Sequence, residues 1–118
     1  MTLLEQAKAF REAFVQDMQV NISTYGFINS RLWNMQANLV AEESSEFLAA
    51  VDEVYADPEN DKRRAELLKE LCDLVFVCYQ FAAAFNLDLD TAMQRVFDSN
   101  MSKLGEDGKP IYLSLIHI

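Results

Sequence analysis

Backbone breakers are nearly absent from this chain. Three glycines and two prolines punctuate 118 residues, too few for the repeated reversals of an all-β fold and unlike the composition of a disordered segment. Long uninterrupted helices are the expectation. A hydrophobic content of 51% suffices for one core, and the length suits one domain.

Periodicity places four helices. Leu3, Ala7, Phe10, Phe14 and Met18 recur at steps of three and four behind Thr2 as N-cap, with Glu5, Lys8, Arg11, Glu12 and Asp17 on the other sides, which predicts an amphipathic first helix. Asn21 to Asn29 lacks that period and reads as a loop. Ser30 is the expected cap of a second helix from Arg31 to Tyr55, whose inner face carries Trp33, Ala37, Val40, Phe47, Val51 and Val54. Asp57-Pro58 stops it, because a residue before proline resists the α conformation. The third helix begins within Glu59 to Lys62 and runs to about Phe85, and its second half is apolar nearly all round, the mark of a helix buried at the centre of a bundle or at a subunit contact. Asp88 or Asp90 opens a fourth, with Ala92, Met93, Val96, Phe97 and Met101 inward and Gly105 at its end. The segment GEDGKP is a turn. Four helices on short loops predict an all-α, antiparallel four-helix bundle.

Charge narrows the function. Nineteen acidic residues against ten basic give a net charge of −9, which argues against nucleic-acid binding. The N-terminus lacks a basic region followed by an apolar stretch, and the longest nearly uncharged run, Leu74 to Leu87, is too short to span a bilayer. A cytoplasmic protein without membrane association is expected. Cys72 and Cys78 have neither CxxC spacing nor a polar setting, so they read as buried thiols in a reducing compartment.

Four carboxylates stand where apolar residues belong. Glu43 lies between Val40 and Phe47 on the stripe that faces the core, with Glu46 one turn on, and Glu70 and Asp73 repeat that i, i+3 spacing on the third helix. Asp73 is the only formal charge between Leu71 and Leu87, and its nearby cation is Lys69 one turn back. Ionised carboxylates in such surroundings are costly unless paired or metal-bound. Two helices presenting two each can form a cage of hard oxygen donors suited to Mg²⁺ or Mn²⁺, which would let an acidic protein hold a phosphate ester. The only histidine is His117. A di-iron Glu-x-x-His bundle and Ser-His or Cys-His nucleophiles therefore drop out, and the residues around Asp88 and Asp90 lack an EF-hand's glycine and terminal glutamate. Water is the expected nucleophile, and hydrolysis the expected chemistry.

Glu42-Glu43-Ser44-Ser45-Glu46 followed by Glu70-Leu71-Cys72-Asp73 resembles the EExxE…ExxD signature of the MazG-like all-α nucleotide pyrophosphohydrolases. Ser99 to Tyr112 further resembles the C-terminal segment of the phosphoribosyl-ATP pyrophosphohydrolase-like branch, so the resemblance spans about residues 30–112. It implies a Mg²⁺-dependent enzyme, Mn²⁺ being an alternative, that cleaves the α–β bond of a nucleoside triphosphate and assembles as a homodimer or a dimer of dimers. By motif position Glu43, Glu46, Glu70 and Asp73 would be metal ligands, one of the glutamates such as Glu43 or Glu46 a general base, and Glu42 a support for the cluster or an orienter of water. Asn100 and Lys103, with Arg95, carry over as phosphate or ribose contacts. Trp33 and Gln36, two to three turns before Glu43, would reach a base pocket, and Phe76 and Tyr79 would line it or pack a subunit contact.

The family segment usually continues past GKP, whereas this chain closes on Leu113 to Ile118, which reads as a non-native tail; the domain is then residues 1–112. The expected activity is house-cleaning hydrolysis of canonical or damaged triphosphates. Hydrolysis of phosphoribosyl-ATP in histidine biosynthesis is the alternative substrate, and a metal-binding helical oligomerisation scaffold the alternative without catalysis.

Overall fold

The computed structural model describes residues 1–18 and 28–109. The described residues form an all-α fold of four helices: α1 (Leu3–Ala13), α2 (Ser30–Ala56), α3 (Asp61–Ala84) and α4 (Leu89–Met101). They divide into two compact units, one ending at Leu87 and the other beginning at Asp88.

Thr2 caps α1 as expected, in a reciprocal box: its hydroxyl accepts from the Glu5 N–H at 3.1 Å while the Glu5 carboxylate accepts from the Thr2 N–H at 3.0 Å. The helix stops at Ala13 rather than reaching Met18. Val15 adopts a φ of 52°, which turns the chain so that the Gln16 N–H reaches the Arg11 carbonyl at 2.8 Å. A β-branched residue is strained there, and what holds the turn is Arg11, whose guanidinium donates through Nε and Nη2 to the Asp17 carbonyl. Of the expected loop, residues 21–27 lie outside the described residues. Asn29, one residue before the expected Ser30, caps α2 by accepting from the Leu32 N–H at 3.2 Å.

Asp57 to Asn60 join α2 to α3, and so short a link makes them antiparallel neighbours. Asn60 caps α3 by accepting from the Arg63 N–H at 3.1 Å. The core of this unit closes around Leu32, Ala84 and Phe85, with Trp33 and Phe81 packed on it. The Trp33 ring meets Phe81 and Phe85 edge-on at 4.9 and 5.0 Å between centroids, a favourable aromatic geometry. α1 lies against α3, and the Gln80 amide donates to the Ala7 carbonyl at 3.3 Å.

The inner faces are rotated from the expected ones. On α1 the enclosed residues are Leu4, Ala7 and Arg11, while Leu3, Phe14 and Met18 are exposed; on α2 they are Leu32, Gln36 and Ala50, while Ala37 and Val51 are exposed. A broad apolar stripe defines a face only to within about 100°, one residue's rotation, and the partner helix decides the rest. On α3 the enclosed apolar stretch is Ala82 to Phe85, whereas Leu71, Val75 and Phe76 are exposed. The thiols are not both buried as expected: Cys72 is exposed and Cys78 half-buried, because the apolar run around them faces both inward and outward.

In the second unit Asp88 caps α4, its carboxylate accepting from the Thr91 N–H at 3.2 Å and the Thr91 hydroxyl at 2.7 Å. The helix ends at Met101 instead of Gly105. Ala92, Met93, Val96, Phe97 and Met101, the expected inner face, are all exposed. The turn at Gly105 to Lys109 forms, with the Gly105 N–H donating to the Lys109 carbonyl at 2.6 Å, and Gly108 takes a φ of 76° that favours glycine. The expected tail at residues 113–118 lies outside the described residues.

Candidate metal centre

α2 and α3 carry a heptad-like seam. Leu32, Gln36, Leu39, Glu43, Phe47 and Ala50 on α2, and Glu70, Asp73, Val77, Gln80 and Ala84 on α3, are buried or half-buried at spacings of three and four. Polar residues occupy inward positions of that seam, and two of them, Glu43 and Glu70, converge with the exposed Glu46. Glu43, Glu46 and Glu70 each place a carboxylate oxygen so that all three lie within 4.8 Å of one another.

Glu70 is buried, Glu43 half-buried and Glu46 exposed, so the group opens to solvent at one side. Oxygen Oε2 of Glu43 and Oε2 of Glu70 are enclosed and have no hydrogen-bond partner. Orphaned carboxylate oxygens of this kind are costly, and oxygen donors are what a hard divalent ion takes. The donor set therefore fits a metal ion.

Lys69, itself exposed, supplies a counter-charge from the same helix. Its Nζ lies 3.2 Å from Glu70 Oε1 and 3.2 Å from Asp73 Oδ2. These two bonds hold the ammonium well above its ordinary range, and the bond from Lys69 draws the Glu70 carboxyl below the usual carboxylate range. Glu43 moves the opposite way. Desolvation, then the charges of Glu46 and Asp73, push its carboxyl up, as expected of a carboxylate facing others without its own cation. Asp73 thus stands beside the trio, tied to it through Lys69. Glu42 is exposed and outside the trio.

The residues expected around a base are divided. Gln36 lines a cavity of about 280 Å³ with Arg11, Leu32, Met35 and Leu39. Phe76 and Tyr79 line a separate apolar groove of about 320 Å³, with Leu3, Leu71 and Val75. Trp33 packs into the aromatic cluster of the core. The four expected base-pocket residues therefore do not share one cavity, since Phe76 and Tyr79 lie on the side of α3 that turns toward α1 and solvent. Asn100 and Lys103 do meet, Lys103 Nζ donating to Asn100 Oδ1 at 3.2 Å, on the second unit that also carries the exposed Arg95.

Sequence reasoning passed over two residues. Arg11 was placed on the solvated side of α1, yet it is 1% exposed. Gln80, 4% exposed, accepts from Arg11 Nη1 at 3.3 Å. The available signal was Gln80 itself, a lone amide in an otherwise apolar stretch, which asks for a buried partner.

A family model described as phosphoribosyl-ATP pyrophosphohydrolase matches residues 8–100. The chain belongs to that family. It is accordingly a member of the MazG-like all-α superfamily and a nucleotide pyrophosphohydrolase, a hydrolase acting on a phosphoanhydride bond. No curated protein matches the chain. The family match favours the hydrolase over the scaffold, and no described helix is long and apolar enough to cross a membrane.

Proposed function

We propose that this member is a Mg²⁺-dependent pyrophosphohydrolase that cleaves nucleoside triphosphates, canonical or damaged, to the monophosphate and pyrophosphate. The observation that carries the reading is the trio Glu43, Glu46 and Glu70 with its two orphaned oxygens. Those residues, with Asp73, would hold the ion, and Mn²⁺ suits the same donors. When bound, the ion offsets phosphate charge and eases deprotonation of water.

The remaining work falls to the side chains. Attack of water on phosphorus forms one P–O bond, the α–β anhydride P–O bond breaks, and pyrophosphate departs with the bond electrons. The water's proton passes to a carboxylate, for which Glu43 and Glu46 are the candidates. Glu42 supports the cluster from the adjacent position. Asn100 and Lys103, joined by their hydrogen bond, would act as a pair on phosphate or ribose oxygens, with Arg95 near them in sequence. The exposed apolar residues Leu71, Val75 and Phe76 of α3 support a homodimer or homotetramer closed across the groove beside them.

Phosphoribosyl-ATP is a second substrate reading, favoured by the description of the matching family. Pyrophosphate release with Mg²⁺ or Mn²⁺ across canonical triphosphates, damaged triphosphates and phosphoribosyl-ATP decides between them. Dominant turnover of phosphoribosyl-ATP displaces the house-cleaning reading. Glu46→Gln and Glu70→Gln are expected to lower release by at least about 100-fold with the helices intact by circular dichroism; unchanged rates would remove the trio from the reaction.

A further inference from the structure

Asp73 is the fourth carboxylate of the spacing behind the metal reading, yet it is not one of the three whose oxygens converge. Those belong to Glu43, Glu46 and Glu70. Asp73 meets Lys69 instead, whose Nζ lies 3.2 Å from Asp73 Oδ2, 3.2 Å from Glu70 Oε1 and 3.9 Å from Glu66 Oε1. One ammonium thus occupies an oxygen of a trio member and an oxygen of the carboxylate one turn away.

The two ends of this contact differ in character. Glu70 is 7% exposed, and its other oxygen, Oε2, is enclosed with no hydrogen-bond partner. Lys69 engages Oε1 alone, so Glu70 keeps a ligand atom in reserve. The Lys69 and Asp73 side chains are 60% and 41% exposed. Their order along the helix, lysine four residues before the acid, is the less favourable one for such a pair, and a pair this open to water is held weakly. A divalent ion carries twice the charge and takes carboxylate oxygens directly. The ammonium, on a flexible four-carbon stem that already reaches solvent, can leave without disturbing the helix.

We propose that Lys69 is a positioning residue that competes with the divalent ion, holding Asp73 back from the trio until the ion takes its place, so that this exchange sets the metal affinity. The proposal rests on the metal-dependent hydrolase reading above and specifies how that site is loaded. Ion and ammonium both draw on Glu70 and Asp73, so each weakens the hold of the other. Competition differs from plain repulsion in one measurable respect. Repulsion between two cations acts on metal affinity whether or not Asp73 is a carboxylate, whereas competition makes the value of Asp73 as a ligand depend on the presence of Lys69.

The test is Mn²⁺ binding to the full chain near neutral pH without nucleotide, read from the electron paramagnetic resonance of free Mn²⁺, so that turnover does not enter. Lys69→Met is expected to bind Mn²⁺ at least about fivefold more tightly than wild type. Asp73→Asn should weaken binding by a factor at least about threefold larger in the Lys69→Met background than in wild type. Lys69→Arg, which restores a cation of similar reach, should return the affinity to the wild-type value or below it. Arg63→Met removes a charge of the same helix that is engaged with Glu53 at 3.3 Å, and should leave the affinity within about twofold. Methionine is a good helix former at an exposed position; circular dichroism checks the fold, and Lys69→Gln is the second neutral variant.

Unchanged or weaker binding in the neutral variants makes Lys69 merely structural and overturns the proposal. An equal cost of Asp73→Asn in both backgrounds overturns it too, as does a gain in Lys69→Arg or Arg63→Met that matches Lys69→Met. Failure here is distinguishable from failure of the metal reading. Wild type and Lys69→Met that bind Mn²⁺ equally sink the exchange alone, whereas no binding by any variant sinks the centre and the exchange with it.

Discussion

Replacing Arg11 with methionine tests whether a buried cation hydrogen-bonded to neutral oxygens holds this fold together. The side chain is 1% exposed and makes three hydrogen bonds to two places: the Asp17 carbonyl through Nε and Nη2, and Gln80 Oε1 through Nη1 at 3.3 Å. Hydrogen bonds from charged donors contribute about 1.5–3 kcal/mol each. Counting the Asp17 fork once and the Gln80 bond once gives a gross loss of about 3–6 kcal/mol. Against that, burying the cation costs several kcal/mol that Arg11→Met recovers in part, since its desolvation outweighs the attraction of the Asp17 charge. The net expectation is a destabilisation of about 1–3 kcal/mol, because Gln80 keeps an unsatisfied buried oxygen and the turn at Val15 loses its anchor. Gln80→Leu should cost a similar amount by stripping Arg11 Nη1 and the Ala7 carbonyl together. The double variant removes both halves of the network, so it should be more stable than the sum of the singles by about 1–2 kcal/mol. Urea unfolding followed by circular dichroism reads this as midpoint shifts of about 0.7–2 M at a slope near 1.5 kcal/mol/M. Midpoints of the single variants within about 0.3 M of wild type, or strictly additive effects, would refute a structural role for the cation.

Two further outcomes follow from the acidic centre and the groove. Lys69→Met should lower the melting temperature of the metal-free protein, since Glu70 and Asp73 lose their shared cation, and enlarge the rise produced by millimolar Mg²⁺. The ammonium is held above its ordinary value of 10.5, so its stabilisation is present in full below that pH and fades as pH climbs through the higher folded value. The alkaline loss should therefore appear in wild type and be missing from Lys69→Met; identical alkaline melting curves would contradict the bridge. Iodoacetamide at pH 8 should label the exposed Cys72 before Cys78, whose thiol burial pushes up. If the groove beside Leu71 and Phe76 is a subunit contact, Cys72 labelling should quicken on dilution, whereas a rate independent of protein concentration would argue against that contact.

Helix content, order and caps could be read directly from residue types. Thr2 and Asp88 satisfy orphan N–H groups locally, and a cap needs no distant partner to act, although Asn29 rather than Ser30 caps α2 and Asn60 opens α3. The carboxylates of Glu43 and Glu70 were legible for a related reason: charge at inward helical positions is costly enough to ask for a partner even before the neighbouring helix is known; Glu46, which is exposed, follows from its i, i+3 spacing from Glu43. Helix ends and faces were harder to read. The run from Leu3 to Met18 keeps its period past Ala13, and only the grip of Arg11 on the Asp17 carbonyl ends the helix there.

Local chemistry thus determined that the chain is helical, where most helices begin, and that two of the helices carry paired acidic groups beside their apolar faces. Tertiary structure alone decided which side of each helix turns inward, that Glu43 and Glu46 of one helix meet Glu70 of the next, and that Arg11 and Gln36 meet at one cavity. The physical reason is range. Capping and periodicity act within one or two turns of the backbone, whereas burial, desolvation and hydrogen bonds such as that from Arg11 to Gln80 depend on which distant segment arrives alongside.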